Sequence, residues 1–97
     1  NNIQIDGVTE DNMPLNALSD KCKSLNWRVQ EVDGHNFRSI DQAWTQALSV
    51  FDKPSVIIAN TIASKGIPEY ERMFEWHGKP PSTEKEIAQA KNALGMN

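Results

Sequence analysis

The run Val56, Ile57, Ile58, Ala59 constrains the fold more than any other segment of the sequence. It is continuous rather than alternating, so a strand built from it offers apolar side chains on both faces. Such strands belong to parallel sheets that are covered on each side. Ahead of it, Ile40, Ala43, Trp44, Ala47, Leu48 and Phe51 recur at helical spacing. Ser39 followed three residues later by Gln42 has the form of a capping box, so the pattern predicts a helix over 40–51. Trp27, Val29 and Val32 make a short apolar segment that stops at the turn pair Asp33-Gly34, which predicts a strand with a tight exit. Pro54 ends the linker into the second strand. Strand, helix and strand in this order read as a right-handed crossover between parallel strands.

Two parallel strands make a poor sheet, and their outer edges require neighbours from polypeptide beyond these residues. The expected class is therefore α/β, a parallel-sheet βαβ portion of an incomplete domain. On the amino-terminal side, Leu15, Leu18, Cys22 and Leu25 fall on one helical face behind Pro14, a residue tolerated in a first turn, which predicts a helix over 14–25. Cys22 is then read as a core residue rather than a reactive thiol. Residues 62–82 hold Gly66, Pro68, Gly78, Pro80 and Pro81 without a sustained period, so they read as a long loop. Long loops in compact domains are commonly functional or disordered. Thr83 and Glu86 form a second capping box, and Ile87, Ala90 and Leu94 mark a last helix closed by Gly95.

Ninety-seven residues suit one small domain of marginal stability, since a chain of this size buries only roughly 60–65% of its unfolded surface. A net charge of −3 gives no basic stripe for nucleic acid, and the apolar run at 56–59 is far too short to cross a bilayer. Cys22 is the only cysteine, so no internal disulfide can form, in keeping with a reducing compartment. The sequence starts at Asn1 without a signal-peptide pattern, and the numbering is expected to begin at a cut.

In open α/β sheets ligands bind beyond the carboxyl ends of the strands, here Asp33–His35 and the segment that starts at Thr61. The loop after Thr61 carries Trp76, His77, Gly78, Lys79 and Pro80, which hold an imidazole and an ammonium close together in a stiff turn. Those groups suit a diphosphate or a sugar phosphate. The alternative is a loop histidine that caps backbone carbonyls. His35 reads as a turn residue, because Asp33 and His35 flank a glycine and point apart, although an acid and base pair is the other reading. Cys22, His35 and His77 are separated by 13 and 42 residues, which matches no compact zinc spacing. Asn1 and Asn2 offer neutral oxygens of the kind Mg²⁺ accepts. The glutamates and lysines from 69 to 91 read as a solvated face.

These segments come in a particular order: Asn1-x-Ile3-Gln4-Ile5-Asp6-Gly7, Leu25-Asn26-Trp27 before a strand, then Asp33-Gly34-His35-Asn36. Pro54 before the apolar strand, Thr61 before a loop with Gly66, and Trp76-His77-Gly78-Lys79-Pro80 complete the series. The order resembles transketolase over nearly the whole chain. The form is most similar to the amino-terminal subunit of the split bacterial and archaeal enzymes. The resemblance implies a thiamine diphosphate-binding fold and the transfer of a two-carbon ketol unit between sugar phosphates in the cytoplasm.

Position by position, the resemblance implies that Asn1 ligates a divalent metal through its side chain and that Ile3 adds its main-chain oxygen. The metal would be Mg²⁺, or Ca²⁺ or Mn²⁺ in its place. Ile5 would lie near the cofactor, His77 would reach the diphosphate and the substrate as the catalytic histidine, and Lys79 would bind substrate phosphate. A Gly-Asp-Gly motif with the metal aspartate is expected upstream of Asn1. The glutamate that activates the aminopyrimidine is expected from the pyrimidine-binding domain of a carboxyl-terminal subunit or domain, in a homo-oligomer. Neither nucleic acid nor membrane is expected as a partner, and the chain alone is expected to be inactive. One position departs from the family's pattern. Ala63 stands where the first lysine of a Lys-Gly-Lys-Gly-like motif is common, and Lys65 comes two positions later. Alternatives are a non-catalytic assembly piece and a related thiamine enzyme, such as a dihydroxyacetone synthase or a transketolase specific for another sugar.

Overall fold

The computed structural model describes residues 1–15 and 17–96. Residue contacts divide into two compact units, Leu15–Thr61 on the one hand and Asn1–Pro14 with Ile62–Asn97 on the other.

The first unit is built on the βαβ pattern. Strand β3 (Arg28–Asp33) and strand β4 (Ser55–Asn60) pair in parallel from Arg28↔Ser55 to Asp33↔Asn60. Helix α3 (Phe37–Leu48) connects them and packs on both, and helix α2 (Leu18–Ser24) packs on β3. The carboxyl ends of the strands are tied together, since Gly34 N–H donates to the Asn60 carbonyl at 2.8 Å.

Helix α3 begins three residues before the predicted start. Asn36, not Ser39, is its cap, with Oδ1 accepting from Ser39 N–H at 3.1 Å and the Asn36 carbonyl accepting from Ile40 N–H at 3.1 Å. Asn36 prevails because it directly follows the turn, where its backbone is already extended, and asparagine is among the best caps. The helix correspondingly ends at Leu48, and Phe51 lies beyond it. Helix α2 is shorter than predicted. The helix opens after Ala17, whose φ of 58° is left-handed, so Pro14 and Leu15 lie outside it. The part of that prediction at residue 16 lies outside the described residues. Cys22 is half-buried rather than in the core.

In the second unit, β1 (Ile3–Gln4) and β2 (Gly7–Val8) form an antiparallel hairpin that leads into a single helical turn, α1 (Thr9–Asn12), which the sequence pattern did not indicate. The loop from 62 onward holds one 3₁₀ turn, Phe74–Trp76, before helix α4 (Glu84–Ala93). The capping box is present as read, with Thr83 Oγ accepting from Glu86 N–H and the Glu86 carboxylate accepting from Thr83 N–H. Gly95 adopts φ 67° and donates to the Asn92 carbonyl, and Met96 N–H donates to that of Lys91, so the helix ends in a Schellman motif.

Among the described residues, the buried apolar side chains are Ala43, Tyr70 and Ala90, whereas Phe37 and Phe51 are 89% and 93% exposed. Trp44 and Leu48 on α3 are also exposed. Sheets of two strands and a core this small are what part of a larger α/β layer presents before its neighbours cover it. No helix among the described residues is long and apolar enough to cross a membrane.

Candidate cofactor and substrate site

The hairpin register decides which backbone groups of the amino-terminal segment are available. Thr9 N–H donates to the Asn2 carbonyl at 3.0 Å, so Asn2 and Thr9 are a hydrogen-bonded pair. Antiparallel pairs alternate, which makes Ile3↔Val8 a non-hydrogen-bonded pair whose Ile3 N–H and C=O point away from β2. The Ile3 N–H donates to Asn1 Oδ1 at 3.2 Å. The side-chain oxygen of Asn1 and the carbonyl of Ile3 therefore share the outer edge of the hairpin. Both are neutral oxygens, the donor type a hard cation such as Mg²⁺ accepts while phosphates and water complete its shell. The described residues contain no group of three or more His, Cys, Asp or Glu side chains placed to hold a metal. Ile5, at the hairpin turn, is 70% exposed and offers an apolar side chain to whatever lies against it.

The histidine turn belongs to the same unit, and β2 packs against the 3₁₀ turn Phe74–Trp76. His77 N–H donates to the Phe74 carbonyl at 2.9 Å, Gly78 takes up φ 70°, and Lys79 N–H donates to the Trp76 carbonyl at 3.3 Å. A side chain at Gly78 would meet nothing, so its left-handed backbone rather than space favours glycine there. His77 is exposed, and its imidazole caps no carbonyl among the described residues. Lys79 Nζ lies 4.9 Å from the Trp76 ring centroid, within cation–π range. Trp76 in turn stacks on Tyr70. Burial pushes the Tyr70 hydroxyl above its ordinary pKa, and Glu86 and Glu69 add to the shift. It stays a neutral donor.

Glu86 closes the far end of this segment. Its Oε2 accepts from Ser82 N–H at 2.9 Å, Thr83 N–H at 3.0 Å and Ser82 Oγ at 3.3 Å. These bonds, led by the Ser82 N–H, hold its pKa at about 2 instead of 4.5. A lowered carboxylate pKa contributes stability that is complete above the unfolded value and is lost as pH falls toward the folded one. The amino-terminal turn of α4 is expected to lose amide-exchange protection between pH 4.5 and about 2. Glu86→Gln, which keeps an acceptor but does not titrate, should lose less across that window. An identical pH profile for both proteins would contradict the role given to the carboxylate.

At the carboxyl end of β3, Asp33 Oδ1 accepts from the His35 backbone N–H at 2.9 Å. The carboxylate is engaged in an Asx turn that delivers the chain to the Asn36 cap, which favours the turn reading of this segment. Asp33 and His35 lie in the βαβ unit, apart in assignment from Asn1, Ile3, Ile5, His77 and Lys79, which fall together in the other.

The whole chain, residues 1–97, matches the family described as transketolase, thiamine diphosphate binding domain. The chain belongs to the transketolase family. It is 47% identical over 66 residues to the 6-deoxy-6-sulfo-D-fructose transketolase subunit SqwG of a Clostridium species, covering 68% of this chain and 24% of that protein. Transketolase 2 of Escherichia coli is 38% identical over 100% of this chain and 14% of its own length. The crystal structure of transketolase from Campylobacter jejuni superposes with a TM-score of 0.81 at 31% identity, over 100% of this chain and 15% of that one. The chain thus spans less than a quarter of the length of these relatives.

The loop after Thr61, which holds Ala63 and Lys65, is closed by bonds to the Glu71–Arg72 turn. The Ala63 carbonyl accepts from Arg72 N–H at 3.1 Å, and Glu71 Oε1 accepts from Gly66 N–H at 3.1 Å while lying 3.6 Å from Lys65 Nζ. The Gly66 N–H is the main cause of a lowered Glu71 pKa, with Lys65 contributing. Lys65 is therefore turned to Glu71. Neither Glu71 nor Tyr70 stood out in the sequence, because both lie in a stretch without period, and only the glycine at 66 hinted at a tight loop.

Proposed function

We propose that residues 1–97 are the carboxyl-terminal portion of a transketolase thiamine diphosphate-binding domain. The parent enzyme moves a two-carbon ketol unit between sugar phosphates, and this portion is inactive alone. The observation that carries the reading is the hairpin edge shared by Asn1 Oδ1 and the Ile3 carbonyl, on a hairpin packed against the turn that precedes His77. Asn1 and Ile3 would hold Mg²⁺, or Ca²⁺ or Mn²⁺, and Ile5 would give the cofactor an apolar contact. When bound, thiamine diphosphate supplies the carbanion chemistry. His77 hydrogen-bonds the diphosphate and exchanges protons with substrate hydroxyls, as an exposed imidazole with two ring nitrogens can do. Lys79 places a cation against the substrate's phosphate. The remaining metal ligand and the aminopyrimidine-activating glutamate come from polypeptide outside these residues, the latter from a carboxyl-terminal pyrimidine-binding subunit or domain within a cytoplasmic homo-oligomer.

The similarity to a sulfo-sugar transketolase subunit favours a second reading of the substrate. A sulfonate, like a phosphate, is an anionic terminus that Lys79 can pair with, so the same site would serve a 6-sulfo sugar.

The test is thiamine diphosphate titration of the complete protein that carries this chain, followed by tryptophan fluorescence with Mg²⁺ and with a chelator. Saturable binding that requires the metal is expected. A folded, complete protein that shows no metal-dependent binding would overturn the catalytic reading and leave an assembly module.

A further inference from the structure

Residues 77–81 carry both His77 and Lys79, yet the segment has no regular structure and follows a single 3₁₀ turn. Turns of that kind have poor hydrogen-bond geometry and fix little by themselves. Beyond the backbone bonds of His77 and Lys79 to Phe74 and Trp76, the position of the two side chains is then set from the ends of the segment. At its amino end the Trp76 ring stacks on Tyr70, with centroids 3.8 Å apart and planes 19° from parallel. At its carboxyl end Ser82 and Thr83 give their N–H groups to the Glu86 carboxylate. Tyr70 joins the two ends, because its hydroxyl donates to the Glu86 carbonyl at 3.2 Å. The segment is a strap closed on the Tyr70–Glu86 pair, and Pro80 and Pro81 stiffen it.

We infer that Tyr70 is a positioning residue for His77 and Lys79, acting through the Trp76 stack and the Glu86 carbonyl. The inference rests on the roles proposed above for those two residues. Tyr70 is 4% exposed, so it meets no ligand and acts only through the groups it holds. The indole it holds is also the one beneath the Lys79 ammonium. Loosening Tyr70 therefore releases the cation and the imidazole together, without removing either.

The complete protein is compared with its Tyr70→Leu and Tyr70→Phe variants by thermal melting, by ketol-transfer kinetics on phosphorylated and unphosphorylated acceptors, and by NMR of the His77 imidazole. Misplacing a reacting group by about 1 Å costs about 10²-fold, and Tyr70→Leu is expected to lower kcat/KM for the phosphorylated acceptor on that order. The unphosphorylated acceptor should lose less, because Lys79 contributes nothing to it. Tyr70→Phe keeps the ring stack but loses the bond to the Glu86 carbonyl, and should fall between the leucine variant and the parent. The His77 resonance should broaden most in the leucine variant. Should Tyr70→Leu fail to melt cooperatively, Trp76→Phe replaces it, with a raised KM for the phosphorylated acceptor expected. A folded Tyr70→Leu or Trp76→Phe protein with parental kinetics and an unchanged His77 resonance would overturn the inference. If the parent neither binds thiamine diphosphate nor transfers ketol units, the functional reading fails by itself, and the His77 resonance still decides whether Tyr70 sets the imidazole's position.

Discussion

On the function proposed above, a His77→Ala variant of the complete protein is expected to transfer ketol units about 10²–10⁴-fold more slowly than its parent, the range for loss of a positioned proton-transfer group. Its melting temperature should scarcely change. The imidazole is exposed and makes no hydrogen bond among the described residues, and surface substitutions of that kind shift stability by no more than about 0.5 kcal/mol. The backbone bond from His77 N–H to the Phe74 carbonyl survives in alanine, so the turn keeps its shape. Loss of rate without loss of stability separates a ligand-facing histidine from a structural one. His77→Gln, which retains hydrogen bonding but cannot exchange protons, should bind thiamine diphosphate better than His77→Ala and remain slow. If His77→Ala kept the parental rate with the folded protein saturated in cofactor, neither the diphosphate nor the proton-transfer role would stand.

How much of this could be read from sequence varied with the kind of interaction. The apolar run at 56–59 became the parallel strand it predicts, because an unbroken apolar run leaves a local signature, although within these residues Val56, Ile57 and Ile58 are only half-buried and Ala59 is exposed. The Thr83–Glu86 box and Gly95 were legible for the same reason, since caps act over three or four residues. Ser39 and Gln42 carry the same spacing, yet Asn36 took the cap, because the turn at Asp33–Asn36 fixes where the backbone first becomes helical. Helix α1 spans four residues and leaves no period to detect. The hairpin edge shared by Asn1 and Ile3 depends on which pair is hydrogen-bonded, a fact that exists only once register is known. Tyr70 reaches Glu86 across sixteen residues, and no spacing rule covers such a contact.

Gly34→Ala should be the most disruptive single methyl addition in the βαβ unit, destabilising the complete protein by about 1–3 kcal/mol as overpacking does. Gly34 needs no special backbone angle, so the reason lies in space. A Cβ there would sit 2.5 Å from Thr61 Cγ2, 3.1 Å from the Asn60 carbonyl oxygen and 3.2 Å from Ala59 Cβ. Two of those neighbours are main chain or the stub of a strand residue and cannot rotate away. Moving Asn60 would also stretch the 2.8 Å bond from Gly34 N–H that ties the carboxyl ends of β3 and β4 together. The closest contact, however, is a methyl, and Thr61→Ser removes it while keeping the hydroxyl. The double variant Gly34→Ala with Thr61→Ser should therefore be more stable than the sum of the two single changes, the coupling expected of residues in contact. Urea midpoints at constant slope provide the measurement. Strict additivity, or a Gly34→Ala protein as stable as its parent, would mean that the ends of the two strands are not packed as closely as the distances to Thr61 and Asn60 require.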